Sequence, residues 1–444
     1  MATTLTPRSV IDHKSEIALL ESVDLFKSPP TQVLTERQYY TTHYPLSTLT
    51  ARDQIQFNFR TSPDEYTDLS KTFLKLRLRV KLTSTALTTP LTSAQTEKIS
   101  LINYPIESLF QQKDLIINNK KLTSSHTLNG YRSAIDTEFW FTPRAKSTWL
   151  QAAHYNKDNY KHTSNTHENG YIKMGKELEI TGVPHFDLTF QERLLIGGLN
   201  VNMNFTPHTP EFFLKVDDDV KNYKVEVSFT HAELQVCRYK ITDLLFEAHQ
   251  QAMLYQPVKY PITRVDLKTF TIPVGSSTFT QENMYSGFLP NKIFLCFVDN
   301  DAFKGTFLKD PFNFGHFNID YIALVTSNGT HPANGYKLDF AKGQIQDAYL
   351  GLFTTVGQLT DEPRISITED QFKNGKTIFP FSLAPGGEEG CTYNRYAHPK
   401  IEGNVRLQVH FDKALPSTIV MVAYAMFDNM IYIDKDYQVT TDFQ

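Results

Sequence analysis

Leu74-Lys75-Leu76-Arg77-Leu78-Arg79-Val80-Lys81-Leu82 is the stretch that decides the fold. Five aliphatic residues alternate with four cations, a period of two that a helix would scatter around its circumference. On a pleated strand the aliphatics enter a core and the cations stand on the opposite face. That cationic stripe could contact DNA or a partner. A solvated outer face that also discourages edge-to-edge association is the simpler reading.

Working outward, the same period recurs. Ile55, Phe57 and Phe59 alternate with Gln56, Asn58 and Arg60, and further strands are expected at Asp114–Asn118, Leu195–Phe205 and Tyr223–Cys237. Beyond them Asp243–Leu254 has helical spacing, with Asp243 as an expected N-cap and Gln256-Pro257 as its stop. Strands then resume at Arg264–Ile272, Lys292–Asp299, Phe317–Val325, Val405–Phe411 and Thr418–Ile433. Short helices are expected at His126–Phe139 and Gln344–Phe353. Many strands without alternating long helices argue for antiparallel sandwiches. The expected fold is all-β: two tandem jelly-roll β-sandwiches with short helices in the connecting loops.

The expected domain limits follow. Residues 1–50 read as an arm, punctuated by Pro7, Pro29-Pro30 and Pro45, with a short amphipathic helix at Ile17–Phe26. Residues 51–242 form the first jelly roll, in which 140–190 is polar, rich in His and Asn, and reads as a long decorating loop. Residues 243–256 are the connector helix, 257–436 the second jelly roll, and 437–444 a C-terminal tail. At 444 residues, two cores are the natural division.

Composition excludes several classes of function. Aromatics make up 13% of residues, which favours strands, and 21% charged residues fit a folded chain rather than a disordered one. A net charge of −4 provides no field to recruit nucleic acid, and acids nearly cancel the bases of the arm, unlike a basic packaging arm. Cys237, Cys296 and Cys391 are widely spaced and odd in number, so a disulfide framework is not expected. The N-terminus lacks the apolar core of a secretory signal, and the longest apolar run, Thr418–Phe427, is roughly half of a bilayer span.

Motif searches for chemistry fail one by one. Asn374-Gly375-Lys376-Thr377 invites a phosphate-loop reading, but Asp370 stands where that motif requires glycine. Pro385–Gly390 is Gly-rich but acidic and would repel phosphates; it reads as a surface loop. Asp217-Asp218-Asp219 lacks the spacing of a calcium loop. His154, His162, His167 and His185 lack zinc spacing, and His167-Glu168 is not followed by a second histidine at the required distance. There is no Gly-x-Ser-x-Gly elbow. No catalytic, cofactor-binding or metal-binding residue is therefore assigned, and an assembly role is expected rather than an enzyme.

Several blocks resemble the major capsid proteins of Polinton (Maverick) elements and adintoviruses. They are Glu21–Phe26 with Pro29–Gln32, Tyr44–Leu49 and Ser108–Phe110 with Asp114. The most specific block runs from Lys259–Val265 through Phe270–Pro273, Leu289-Pro290, Val298–Asn300, Ala302-Phe303, Gly305 and Asn313-Phe314 to Phe317-Asn318. Gly403–Leu407 and Asp428–Ile431 extend it, whereas 140–190 and 355–400 have no matching residues. The resemblance implies a double jelly roll of the adenovirus-hexon lineage and a homotrimer of pseudo-sixfold outline. Such trimers tile an icosahedral shell with neighbouring capsomers, penton and minor capsid proteins. It implies a virion localisation, no catalytic residues, and outer turrets built from long loops such as 140–190.

Leu195-Ile196-Gly197-Gly198 resembles the recognition pattern of adenovirus-type maturation proteases. Its apolar setting at the start of a strand favours a Gly-Gly turn or bulge instead. Two alternatives remain. A lattice-forming scaffold protein of the same fold would form particles or flat sheets. A carbohydrate-binding or carbohydrate-active β-sandwich would need an exposed aromatic groove, for which Trp140 and Trp149 are the candidates.

Overall fold

The computed structural model describes residues 21–49, 53–84, 99–124, 126–155, 177–216, 223–356, 364–384 and 397–443. The calls at Asp217–Asp219, His162, His167, Glu168, Pro385–Gly390 and Cys391, and the first four residues of the expected helix Ile17–Phe26, lie outside them; the described rest of that stretch holds a 3-10 turn at Glu21–Val23.

Eight strands build the two main sheets of the first half, with a separate short pair at Ile99–Leu101 and Leu214–Val216: β1 (Thr35–His43), β2 (Ile55–Arg60), β3 (Glu65–Ser84), β4 (Phe110–Ile117), β5 (Lys120–Lys121), β6 (Glu177–Gly182), β7 (Asn200–Pro207) and β8 (Tyr223–Ile241). They pair antiparallel as two sheets, β1-β8-β3-β6 and β2-β7-β4-β5. The second half repeats the set: β9 (Val258–Ile272), β10 (Thr278–Phe288), β11 (Lys292–Asp299), β12 (Ile319–Thr326), β13 (Gly329–Lys337), β14 (Ile378–Ser382), β15 (Glu402–Phe411) and β16 (Ile419–Ile433). Its sheets are β9-β16-β11-β14 and β10-β15-β12-β13. Each order in the second half is the first with eight added to every strand number. First strand beside last, and second beside seventh, is the double-Greek-key order of a jelly roll. The fold is all-β, two tandem jelly-roll sandwiches.

The deciding stretch lies in β3. Leu74, Leu76, Leu78 and Val80 are buried, while Lys75, Arg77 and Arg79 face outward. The outward cations are not a free stripe. β6 lies alongside with Glu179 opposite Arg77 and Glu177 opposite Arg79, and the guanidiniums pair with them at 2.7 and 3.0 Å. These exposed pairs neutralise the face and argue against a nucleic-acid contact there.

The halves differ in how many faces they bury. β11 and β16 are buried on both faces for most of their length, so Ile293–Val298 and Ile419–Met426 read as continuous apolar runs rather than alternation. Their sheet is an inner layer: one face meets its own sandwich and the other is covered by helix α1 (Asn129–Trp140) of the first half. The Phe139 ring stacks on Phe294 of β11 with centroids 4.4 Å apart.

Three limits and one helix cap differ from the expected ones. β1 lies inside the expected arm and pairs along β8, so the first sandwich begins at Thr35 rather than residue 51. The expected tail contains Val439–Thr441, which pairs with β16 and extends its sheet. The expected loop 140–190 contains β6, a helix at Pro143–Lys146 and a 3-10 turn at Trp149–Ala153. Leu150, Tyr155, Ile180, His185 and Phe186 from this stretch are buried, so its described part is packed scaffold rather than turret. The connector α2 (Asp243–Met253) is where expected, but Thr242 occupies the N-cap and Asp243 the first turn. In the second half, the expected short helix is α3 (Gln346–Val356).

Candidate functional site: the junction between the sandwiches

α1 is an unusual helix for an inner layer. It carries Tyr131, Ile135 and Phe139, all buried, but also Arg132, Asp136 and Glu138, which are as deeply buried. Charges at this depth persist only when paired and hydrogen-bonded. Arg132 Nε reaches Asp136 Oδ2 one turn away at 3.3 Å, and its Nη2 reaches Asp187 Oδ1 at 2.6 Å. Asp187 also accepts the backbone N–H of Val265 on β9, at 3.3 Å. The Tyr424 hydroxyl of β16 donates to Asp136, and the Trp140 indole N–H lies 3.4 Å from that hydroxyl. Burial opposes the charge on Arg132, but Asp187 and Asp136 outweigh it and raise its pKa. One guanidinium thus joins α1, the Asp187–Phe190 turn and, through Asp187, the edge of the second sandwich.

A second buried group lies beside it. Glu107 pairs with Lys113, accepts from the Ser133 hydroxyl at 2.7 Å and from the His185 backbone N–H at 3.0 Å. The Tyr104 hydroxyl and His185 Nε2 are 2.9 Å apart. Burial brings Lys113 down to about 8 against the pull of Glu107. His185 is therefore a core histidine, and among the described residues no group of three or more His, Cys, Asp or Glu is placed to hold a metal ion.

A third set crosses the junction. Lys146 is fully buried, 3.2 Å from Glu138 Oε2, 3.2 Å from the Ser366 hydroxyl and 3.4 Å from the Arg364 carbonyl. Lys376 pairs with the other oxygen of Glu138. Lys376 belongs to the rejected phosphate-loop stretch, whose parts all serve the fold: the Gly375 carbonyl accepts from Phe314 N–H at 2.8 Å, and the Thr377 hydroxyl donates to the Phe372 carbonyl at 2.7 Å. Further ties are Arg193 Nη1 to the Lys259 carbonyl at 2.6 Å, and Ile196 N–H to the Tyr260 hydroxyl at 2.9 Å. The arrangement fixes two sandwiches in one relative orientation.

These groups predict acid sensitivity with a defined sign. Burial alone would raise Glu138, but Lys376 and Lys146 hold it at about 2, against 4.5 when free. Its contribution, up to about 3 kcal/mol, is complete above the free value and is lost as pH falls through that window. Burial holds His126 and His208 at about 4, against 6.5 when free. The unfolded chain therefore takes up protons first, and stability falls as pH drops from 6.5 toward 4. Urea midpoints should decline from pH 7 to 4 and keep declining below, where Glu138 takes over from the two histidines; a flat profile to pH 3 would refute the assignment.

The other sequence candidates are accounted for. Leu195 and Ile196 are buried, and a side chain at Gly197 would meet the Ser62 and Pro63 carbonyls, so the Gly-Gly pair is a turn built into the core. Trp140 is half-buried in the junction, and Trp149 lies edge-on to Phe141; they do not form a shared exposed groove. Cys237 and Cys296 are buried free thiols. No helix among the described residues is long and apolar enough to cross a membrane. Sequence reading placed α1 but missed Arg132, Asp136 and Glu138. The available signal was a set of charges inside a helix otherwise rich in aromatics.

This architecture is the double jelly roll, a fold shared with viral major capsid proteins. A chain of the Sputnik virophage superposes with a TM-score of 0.64 at 13% identity, covering 98% of this chain and 94% of that one. The mavirus major capsid protein gives 0.58 at 12% identity, over 98% and 97% of the two chains. VP54 of PBCV-1 gives 0.58 at 10% identity, over 94% and 99%. In sequence, an uncharacterized protein of Caenorhabditis elegans is 23% identical over 420 residues, 91% of this chain and 97% of that protein. No family model matches the sequence.

Proposed function

We propose that this chain is the major capsid protein of an icosahedral double-stranded DNA virus, or virus-like transposon, of the Polinton and adintovirus type. The carrying observation is the repeated eight-strand order in two sandwiches locked by buried ion pairs. Three copies of such a body present six similar sandwiches, the condition for a pseudo-hexagonal capsomer. The full-length likeness to the mavirus protein supports the reading, as does the Lys259–Asn318 block. Function here is assembly without catalysis: a homotrimer whose weak contacts with neighbouring capsomers, penton and minor capsid proteins are multiplied by symmetry in the virion.

The test is mass in solution followed by negative-stain imaging. The expected species has three times the 50.9 kDa chain mass and a hexagonal outline. A monomer that stays monomeric with its partner proteins present would overturn the proposal.

A further inference from the structure

The space between the sheets of a β-sandwich is ordinarily apolar, and most of the second sandwich obeys this: Val405, Leu407 and Val409 of β15 and Ile322 and Leu324 of β12 are buried. One side of it does not. On β9, Val265 and Leu267 are buried, while Arg264, Asp266 and Lys268 alternate with them on the other face. That face looks across the gap. The Lys268 ammonium lies 4.4 Å above the Tyr285 ring of β10 and donates to the Met284 carbonyl at 3.1 Å. The sheets are splayed here around a cleft of about 650 Å³, in the size range of small-ligand sites. β9 and β10 are the edge strands of their sheets, so the cleft is the open side of the sandwich.

Arg264 and Asp266 are half-buried and Lys268 exposed, so this edge of the gap between the sheets is a charged groove open to solvent. The charges of the cleft are unequally engaged. Asp442 accepts from Lys400 at 2.7 Å, Asn429 at 3.0 Å and the Met430 N–H at 2.8 Å. Asp428 accepts from both the backbone N–H and Nδ1 of His398, at 3.0 and 2.9 Å. Burial pushes the Asp266 carboxyl up, against the pull of Arg264 and Lys268. Arg264 uses Nε on Asn429 at 3.0 Å, with its planar group held 4.5 Å from the Phe427 ring and 5.2 Å from Phe443. Its Nη groups make no hydrogen bond to the described residues. A guanidinium edge held flat between rings, with an ammonium four residues along the same strand, is suited to a carboxylate or sulfate. Ser286, Asn291 and Thr441 on the walls suit hydroxyl groups.

We propose that this inter-sheet cleft binds an acidic saccharide, its carboxylate or sulfate held by the guanidinium edge of Arg264, with the sugar reaching along the cleft past Asp266 to Lys268. The proposal does not depend on assembly, because every residue named belongs to one chain.

Calorimetric titration of the full-length protein with sialyllactose, glucuronic acid, glucose 6-sulfate, lactose and sodium sulfate tests it. At least one acidic sugar should bind about tenfold or more tightly than neutral lactose, as expected for a charge-assisted pair. The carboxylated and sulfated probes distinguish the two anion sources. Lys268→Gln, at an exposed position, should weaken that binding about tenfold with only a small fall in melting temperature from the lost Met284 and Tyr285 contacts. Arg264→Gln should weaken it further. If no acidic sugar binds better than lactose, or sodium sulfate binds as tightly as the acidic sugars, the proposal is overturned. Unchanged affinity in the Lys268 variant would overturn the assigned contact.

Discussion

Replacing Arg132 with methionine is expected to destabilise the protein by about 3–5 kcal/mol, the usual consequence of removing one partner from a buried ion pair. Methionine roughly fills the volume, so the loss is electrostatic rather than a cavity. Asp136 and Asp187 are left facing each other's field at 1% and 5% exposure, with the Tyr424 hydroxyl and the Val265 N–H as hydrogen-bond donors and His185 Nδ1 3.7 Å from Asp136 Oδ2. Two carboxyls deprived of their cation recover by binding a proton, so the deficit relative to the wild type should be largest near neutral pH and shrink in mild acid. That is the reverse of the trend expected from Glu138 and the two histidines. A triple replacement, Arg132→Met with Asp136→Asn and Asp187→Asn, should recover much of the stability. Urea unfolding at pH 7 and pH 5 reads all three. A loss below about 1 kcal/mol for Arg132→Met would mean that the junction does not rest on this guanidinium. Because the guanidinium links α1 to the turn that meets β9, the same variant should form fewer capsomers under the proposed function.

How much of this was legible in sequence depends on which atoms decide each feature. The period-two runs at 74–82 and 405–411 gave β3 and β15 because one face of each is buried and the other is not. β1 escaped notice for the opposite reason. It is an edge strand with little burial on either face, so Thr35–His43 shows no apolar alternation and is held chiefly by its ladder with β8. β6 has a correct but short alternation, Leu178 and Ile180 between glutamates, and it was obscured by polar residues on either side. The apolar runs of β11 and β16 announced strands, yet the second covered face was not readable until α1 was in place. The junction was least legible of all. Arg132 and Asp187 are 55 residues apart, and Glu138 and Lys376 are 238 apart, so nothing local signals that each buried charge has a partner. The inter-sheet cleft shows the same limit: Arg264–Ile272 is legible as a strand, but nothing local shows that Arg264, Asp266 and Lys268 border a gap walled by residues of four other segments.

Gly197→Ala is expected to be the most damaging glycine-to-alanine change among the described residues, and Gly198→Ala beside it a much milder one. The difference separates two reasons for using glycine. At Gly197 an added Cβ would lie 2.2 Å from the Ser62 carbonyl oxygen and 2.4 Å from that of Pro63. Both are backbone atoms just ahead of β3, so the strain cannot be relieved by turning a side chain. The neighbouring ladder resists as well: Leu195 and Thr67 exchange backbone hydrogen bonds at 2.8 Å, pinning the Leu195–Leu199 segment to the start of β3. Overpacking in a core usually costs 1–3 kcal/mol, and a backbone-on-backbone clash should exceed that, at about 4 kcal/mol or more. At Gly198 the demand is conformational, since φ is +82° and the nearest contact is the Tyr437 ring at 3.2 Å. Alanine can occupy that region with strain of about 1–2 kcal/mol. Soluble yield and urea midpoints of the two variants should therefore rank Gly198→Ala well above Gly197→Ala. Equal effects would mean that the turn relaxes, which would also make the Leu-Ile-Gly-Gly segment accessible enough to be cut. Under the ranking expected here, a protease specific for that pattern should leave the folded protein intact between Gly198 and Leu199 and cleave it only after denaturation.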